Sequence, residues 1–278
     1  MKRRILNIAV FRKETLYQKM RALIIYLVIS AVFIGCTPIL SIDASTQSVY
    51  HFSDTDKNIS LLDISETFGT YDGSFVLYDN NLDSWKIYDL EEATKRIPPE
   101  STYKIYDALL GLESGIITPE HSSMTWNGDA FPFPSWEADQ DLNSAMQNSV
   151  NWYFQAIDSQ LGINRVQEFL NKIEYGNQTT SSNLDLYWSD FSLKISPLEQ
   201  VTLLKKFNTN EFHLNSQNVF SVKNAIKIAS TPNGNFYGKT GTGRVNGQDI
   251  NGWFIGYVET SDNSYYFATN IQSDSNAT

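Results

Sequence analysis

The chain is short of residues on which several classes of protein depend. A single cysteine among 278 residues excludes an internal disulfide. The three histidines, His51, His121 and His213, are scattered along the chain, and we assign them no functional role. No internal repeat or low-complexity stretch occurs. We therefore expect chemistry that needs neither a metal nor an organic cofactor.

Positive charge is also scarce outside the amino terminus. Seven of the 21 Lys and Arg residues, but only one of the 31 Asp and Glu residues, lie within residues 1–21. The remainder has a net charge of −16, against −10 for the whole chain. Such an acidic body should repel nucleic acid, and we expect no nucleic-acid partner. The 13% aromatic content argues against disorder, and the length suits one large catalytic domain.

The basic amino terminus precedes a segment typical of export. Residues 22–42 carry no charged side chain and are rich in Leu, Ile and Val. We expect residues 1–36 to be an export signal or a membrane anchor. The sequence Phe-Ile-Gly-Cys, which ends at Cys36, resembles a bacterial lipoprotein processing site, so Cys36 is a candidate for lipid attachment.

Two alternatives to lipid attachment stay open: cleavage without a lipid, and an uncleaved span, since about 20 apolar residues can cross a bilayer. The start of the signal is open as well, because Met20 offers a shorter one than Met1. Each alternative links the chain to the cell membrane or secretes it, with the body outside the cytoplasmic membrane.

The body has strand signals at both ends and helical signals between them. Residues 37–60 are expected to be a tether, and residues 61–278 the catalytic domain. Residues 73–78 and 84–88 flank an Asn-rich turn and predict a β-hairpin. Residues 235–239, 252–259 and 265–272 predict further strands. We therefore predict a mixed α/β domain, with an antiparallel sheet built from both chain ends, covered by helices, and a helical insertion.

Three short motifs carry the candidate chemistry, in the order Ser101-Thr-Tyr-Lys104, Ser149-Val-Asn151 and Lys239-Thr-Gly241. On a helix, positions i and i+3 share a face, so the Lys104 amine would lie beside the Ser101 hydroxyl. The second motif offers another hydroxyl, and the third a positive charge on a strand. This set suits acyl transfer to a β-lactam. Each motif alone is weak, because a turn or a hairpin end explains it equally well.

Together with three further segments, the motifs resemble a known family. The segments are Tyr175-Gly-Asn177, Trp188 ahead of Ser192-Leu-Lys-Ile-Ser-Pro197, and Gly252-Trp-Phe-Ile-Gly256. Over about residues 61–278 the chain is similar to the class D (oxacillinase-type) serine β-lactamases, and equally to the β-lactam sensor domain of Gram-positive receptors. The resemblance implies the serine β-lactamase/penicillin-binding fold and a β-lactam ligand.

The resemblance also implies a role for each matching residue. Ser101 would attack the lactam carbonyl, and Ser149 would relay a proton to the leaving nitrogen, with Lys239 supplying the electrostatics of that step. Lys104 would act as the base once burial lowers its pKa by ~3 units, which takes about 4 kcal/mol of desolvation. Its neutral amine would then capture carbon dioxide as a carbamate, supported by the indole of Trp188. An ordinary core tryptophan is the alternative for Trp188.

The Lys-Thr-Gly strand would bind the rest of the substrate. By resemblance, Thr240 would bind the substrate carboxylate. The backbone N–H of Thr242 would be the second oxyanion donor, beside that of Ser101. Gly241 has no side chain, so an acyl group can lie along the strand edge.

Two departures from the hydrolase pattern stand out. Class D hydrolases usually have a Val where this chain has Asn151, and an Asn there is similar to the receptor-sensor pattern. Its amide can hydrogen-bond Lys104, stabilise the uncarboxylated amine and stall hydrolysis after acylation. The chain also stops at Thr278, just after its last predicted strand, where family members continue into a helix. We therefore expect the catalytic domain to lack its C-terminal helix.

We expect hydrolysis of β-lactams through a Ser101 acyl-enzyme, on the outer face of a Gram-positive membrane. The first alternative is a sensor-like domain that is acylated but deacylates slowly, as Asn151 suggests. The second is a peptidoglycan transpeptidase or carboxypeptidase, which shares the three motifs.

Overall fold

The structure, a computed structural model, describes residues 58–181, 183–274 and 276–277. The predicted signal or anchor with Cys36, and residues 37–57 of the predicted tether, lie outside the described residues. Within the described ranges, no helix combines the length and apolarity that a bilayer crossing requires.

One seven-stranded sheet, built from both chain ends, forms the centre of the domain. Its strands are Ile59–Leu61 (β1), Asp72–Asp79 (β2), Ser84–Tyr88 (β3), Lys227–Thr231 (β4), Gly234–Val245 (β5), Gln248–Glu259 (β6) and Ser264–Gln272 (β7). Their order is β1-β3-β2-β7-β6-β5-β4. All neighbours are antiparallel except β1 and β3, which are parallel. The predicted mixed α/β fold is confirmed; β1 begins within the range predicted as tether.

The hairpin turns follow from local side-chain chemistry. Between β2 and β3, the Asp79 carboxylate accepts the backbone N–H groups of Asn81 and Leu82 at 3.1 and 3.2 Å. The β5–β6 turn contains Asn246 and Gly247, both with positive φ, as a tight hairpin requires. Strands β5 and β6 are longer than predicted, and β4 was not predicted because its five residues are all exposed and lack an apolar pattern.

Eight α-helices occur in the described residues: Ser65–Phe68 (α1), Leu90–Thr94 (α2), Lys104–Glu113 (α3), Leu142–Gln147 (α4), Asn151–Leu161 (α5), Ile163–Ile173 (α6), Pro197–Asn208 (α7) and Ser216–Ala225 (α8). Helix α7 begins with a capping box, in which Ser196 Oγ accepts from the Glu199 N–H and Glu199 accepts from the Ser196 N–H. It packs on β2, β6 and β7, while α3 packs against α5 and α8.

A 3₁₀ turn, Glu100–Tyr103, leads directly into α3 and contacts β5 and β6. Two buried side chains of β6 fasten the chain just before this turn. Trp253 Nε1 donates to the Pro98 carbonyl at 2.8 Å, and Asn251 Nδ2 donates to the same oxygen at 3.1 Å. The sheet therefore positions the first residues of the helix that carries Lys104.

Candidate active site

The first motif places a hydroxyl and an amine side by side. Ser101 lies in the 3₁₀ turn and Lys104 is the first residue of α3. Lys104 Nζ donates to Ser101 Oγ at 2.9 Å, although the lysine is only 1% exposed. The turn is held from behind, because Gln200 donates to Thr102 Oγ1 at 2.9 Å and that hydroxyl donates to the Pro99 carbonyl. The nucleophile candidate thus lies on rigid backbone.

The Lys104 amine lies in a mostly apolar pocket with one strong acceptor. Asn151 Oδ1, at the start of α5, accepts from Nζ at 2.7 Å. The rings of Phe154 and Trp188 each lie with their centres 5.6 Å from Nζ. Burial lowers the pKa of Lys104 to about 8, against the opposing influence of nearby acidic residues. At pH 7 about a tenth of the side chains would then be free amine.

The second and third motifs meet in a second serine–lysine pair. Lys239, on β5, donates to the Ser149 hydroxyl and to the Thr240 carbonyl, the latter at 3.0 Å. Ser149 precedes α5 with a positive φ of 53°. Burial lowers the pKa of Lys239 to about 7, and the charge of Lys104 lowers it further. The two lysines therefore disfavour each other's charged form.

The end of β5 offers backbone donors beside these side chains. Strand β4 pairs with β5 only as far as Tyr237, and beyond Gly238 no described strand pairs with this edge of β5. The Gly238 N–H points to the β4 side, where it donates to the Ile226 carbonyl at 2.9 Å. Because donors alternate along a strand, the N–H groups of Thr240 and Thr242 point to the same side. Both threonines are exposed, so these two N–H groups lie on an accessible part of the strand.

Two glycines of β5 pack against the nucleophile turn. A Cβ on Gly241 would lie 3.1 Å from the Pro99 carbonyl oxygen and 3.2 Å from Thr102 Cγ2. A Cβ on Gly243 would overlap Glu100 Oε1. The absence of a side chain at Gly241 is therefore needed for packing of the strand on the turn, in addition to any room it leaves for an acyl group.

Trp188 is a core residue that also borders the candidate base. It is 2% exposed and stacks on Tyr103, with ring centres 6.1 Å apart. Its carbonyl accepts the Glu100 N–H at 3.1 Å, which helps to hold the 3₁₀ turn. The position of Trp188 is therefore compatible with both predicted roles, a core tryptophan and a residue that supports a carbamate on Lys104.

The turn Tyr175–Asn177 lies behind the site. Tyr175 packs edge-on against Tyr103, with ring centres 5.2 Å apart. Asn177 Nδ2 donates to the Ser192 carbonyl at 2.7 Å, and its Oδ1 accepts the Lys194 N–H at 2.9 Å. These hydrogen bonds connect two loops, so the role of Asn177 is structural rather than catalytic.

Three buried acids near Lys104 were missed by the sequence analysis. Glu100 is 6% exposed, accepts from Asn251 Nδ2 at 3.2 Å, and has a pKa raised to about 8 by burial. Asp107 and Asp158 are fully buried on α3 and α5. One signal was available, because Asp107 lies three residues after Lys104 within the apolar stripe of α3.

The surroundings of Lys104 do not fit a carbamate. A carbamate on Nζ would add a negative group beside the Asn151 oxygen, which now accepts a hydrogen bond from that nitrogen. It would also lie near Glu100, Asp107 and Asp158, whose charges already act on Lys104. An ammonium or amine satisfies these neighbours, whereas a second anion would be repelled by them.

The chain is similar to several known proteins. The family model described as the penicillin binding protein transpeptidase domain matches residues 69–278. The regulatory protein BlaR1 of Bacillus licheniformis is 44% identical over 279 residues, which cover 99% of this chain and 46% of that protein. The probable β-lactamase YbxI of Bacillus subtilis is 36% identical, over 77% of this chain and 79% of that protein.

The chain is also similar to a solved structure. The C-terminal domain of the Bacillus licheniformis BlaR penicillin-receptor aligns with a TM-score of 0.75 and 47% identity, over 77% of this chain and 88% of that one. The chain spans about half the length of the regulatory relatives that it matches.

Proposed function

Because the chain belongs to the penicillin-binding-protein transpeptidase-domain family, in the branch of the class D β-lactamases and penicillin receptors, we propose that it is a β-lactam receptor that is acylated at Ser101 and deacylates slowly. One observation carries this proposal, the hydrogen bond of 2.7 Å from Lys104 Nζ to Asn151 Oδ1. It favours the protonated amine, whereas a hydrolase needs an unprotonated base to activate water. The similarity to a penicillin receptor at 47% identity supports the same conclusion.

Acylation needs only groups that the site already brings together. Lys104, in its free-amine form, takes the proton of Ser101 as Oγ attacks the lactam carbonyl. The backbone N–H groups of Ser101 and Thr242 stabilise the negative charge on the carbonyl oxygen. As the C–N bond of the ring breaks, the Ser149 hydroxyl, held by Lys239, passes its proton to the nitrogen and receives in turn the proton that Lys104 took from Ser101. In balance, one ester bond forms, one amide bond breaks and one proton moves from Ser101 to the ring nitrogen.

Deacylation needs a base that can take a proton from water next to the ester. Lys104 is the buried amine beside Ser101, and its hydrogen bond to Asn151 opposes that role in two ways. It favours the ammonium form of Lys104, which has no lone pair to accept a proton, and it leaves the Asn151 oxygen beside the position that a carbamate would take. The acyl group is therefore expected to stay on Ser101 for many times longer than it takes to form.

The position of the chain in the cell belongs to the same proposal. The amino-terminal export signal or anchor predicts a domain on the outer side of the cytoplasmic membrane, where β-lactams arrive first. A domain that keeps its drug bound reports the presence of the drug rather than removing it. The description of BlaR1 as a regulatory protein supports this reading.

The test uses the full 278-residue chain with a chromogenic cephalosporin. We expect one covalent adduct per chain by intact-mass spectrometry, little turnover after one equivalent, and no stimulation by bicarbonate. Ser101→Ala is the control and should form no adduct. Bicarbonate-stimulated turnover would support the hydrolase instead, and release of D-alanine from a D-Ala-D-Ala peptide would support the transpeptidase or carboxypeptidase.

A further inference from the structure

A seam of polar side chains runs between α3 and α5, below Ser101. Lys104 and Asp107 lie one turn apart on α3, and Asn151 and Asp158 lie two turns apart on α5, so each pair shares a helix face. The two faces meet: Lys104 contacts Asn151 at the substrate end, and the side chains of Asp107 and Asp158 contact each other at the inner end. We call these four residues the polar seam.

The inner end of the polar seam is a carboxyl pair cut off from solvent. Asp107 and Asp158 both have 0% exposure. Of their four oxygens, only Asp158 Oδ1 accepts a hydrogen bond from another residue, a long one of 3.4 Å from the Tyr187 hydroxyl. In the described structure, both oxygens of Asp107 and Oδ2 of Asp158 have no partner. Two ionised carboxylates cannot hydrogen-bond each other, whereas one proton between them satisfies both.

The groups that face the pair leave Lys104 as its counter-ion. The hydroxyls of Tyr103 and Tyr187 lie against it, and burial raises the pKa of both, so they are uncharged. The exposed carboxylate of Asp185 acts on Asp158 from outside and adds negative charge. The positive charge that acts on Asp107 is that of Lys104.

Lys104 is in turn faced by acids and by one cation. Asp107, Glu100 and Asp158 favour its charged form, in that order of influence, and burial opposes them. Lys239, from β5, is the cation. Burial also raises the pKa of Asp107 and of Asp158, so the acid pair carries at most one negative charge near neutral pH.

We propose that Asp107 and Asp158 share one proton and act as positioning residues that keep Lys104 in its ammonium form except during acylation. This inference rests on the proposed function in one respect, the role of Lys104 as the base for Ser101. With one positive and one negative charge, the polar seam is neutral. An ammonium cannot take a proton from the deacylating water and cannot add to carbon dioxide, so the pair is a second obstacle to deacylation, beside Asn151.

The direct test measures the Lys104 titration in the drug-free full chain by NMR of lysine labelled with ¹³C at Cε, assigned with Lys104→Ala. The wild-type midpoint is expected at about 8. Asp107→Asn and Asp158→Asn together keep the shape of the pair but remove its charge, so the double variant should lower the midpoint by about one pH unit, whereas either change alone leaves one ionised Asp and should shift it little. Asp185→Asn is the matched control, because its carboxylate is exposed and screened by solvent, and should leave the midpoint unchanged.

A second readout separates this role from a merely structural one. At pH 6, a midpoint lowered by one unit raises the free-amine fraction, and hence the acylation rate, about tenfold. At pH 9 the rates should converge, whereas a packing defect would slow acylation at every pH. A folded double variant with the wild-type midpoint and pH profile would overturn the proposal.

Two measurements keep the test decisive in the remaining cases. If the double variant does not fold, infrared spectroscopy of the wild type must show a protonated buried carboxyl at neutral pH that persists in Glu100→Gln; its absence would overturn the proposal. If no β-lactam forms an adduct, the proposed function fails, and the drug-free NMR titration still decides this inference.

Discussion

Two serine–lysine pairs meet in one site, and they differ in what surrounds the lysine. Lys104 donates to Ser101, and Lys239 donates to Ser149. Both amines are buried, and burial lowers both pKa values, to about 8 and about 7. Acidic residues act on Lys104, whereas burial and the positive charge of Lys104 are what act on Lys239. Identical residue types are therefore given different charges by their neighbours.

The difference indicates how the site divides its work. The acids favour the charged form of Lys104, which exchanges a proton with Ser101. Burial and the charge of Lys104 lower the pKa of Lys239, so Lys239 loses its charge at a lower pH than Lys104 does, and it orients the Ser149 hydroxyl. The first pair thus performs the proton transfer of attack, and the second positions the relay to the leaving nitrogen.

The largest expected effect separates the two lysines. Lys104→Ala should slow acylation by ~10²–10⁴-fold, the usual loss when a general base is removed. Lys239→Ala should cost roughly tenfold, because Ser149 keeps its hydroxyl and loses only the group that orients it. The second-order rate of adduct formation, followed by intact-mass spectrometry, measures both. Equal losses would remove the distinction between the pairs.

The pH dependence of acylation should identify which amine controls the reaction. The reactive form of Lys104 is the free amine, so the rate should rise about tenfold per pH unit from pH 6 and level off above about pH 8. A midpoint near 7 would assign control to Lys239 instead. Glu100 ionises in the same range as Lys104 and favours its charged form, so the profile is repeated in Glu100→Gln, in which a midpoint set by Lys104 should move to lower pH.

A smaller effect is expected from removing the hydrogen bond between Lys104 and Asn151. Asn151→Val removes the acceptor of Lys104 and leaves an apolar group of similar size, so deacylation should become about tenfold faster, chiefly with bicarbonate present. The half-life of the Ser101 adduct measures it. Asn148→Val, outside the pair on the exposed end of α4, is the control and should leave the half-life unchanged. An unchanged half-life in Asn151→Val would remove the observation on which slow release depends.

The sequence was sufficient for contacts that local spacing dictates. The i, i+3 spacing of Ser101 and Lys104 predicted neighbouring side chains, and their atoms are 2.9 Å apart. The Asn-rich turn predicted the β2–β3 hairpin. In each case the atoms in contact belong to residues within one turn or one hairpin.

Contacts between distant elements were beyond such reasoning. Asp107 and Asp158 are 51 positions apart, and only the packing of α3 on α5 brings them together. The burial of Glu100 depends on β5, whose Gly243 leaves room for its carboxyl group. Strand β4 has five exposed residues, and its extended conformation depends on pairing with β5. No local sequence pattern predicts that pairing. The contact of Lys104 with Asn151 was foreseen only through the family resemblance.

The smallest expected effect tests whether the Ser101–Lys104 pair can be disturbed without disturbing the Ser149–Lys239 pair. Gly243→Ala places a methyl group against Glu100 Oε1 and 3.1 Å from Asn251 Cβ, so it should destabilise the fold by about 1–3 kcal/mol in urea unfolding. Acylation should fall only a few-fold, because Ser149 and Lys239 do not contact Glu100. In a Glu100→Ala background the same substitution meets no carboxyl group, and most of its cost should disappear. A cost that persists there would mean that the strand itself resists the methyl group, and that Glu100 does not transmit changes in β5 to the Ser101 turn.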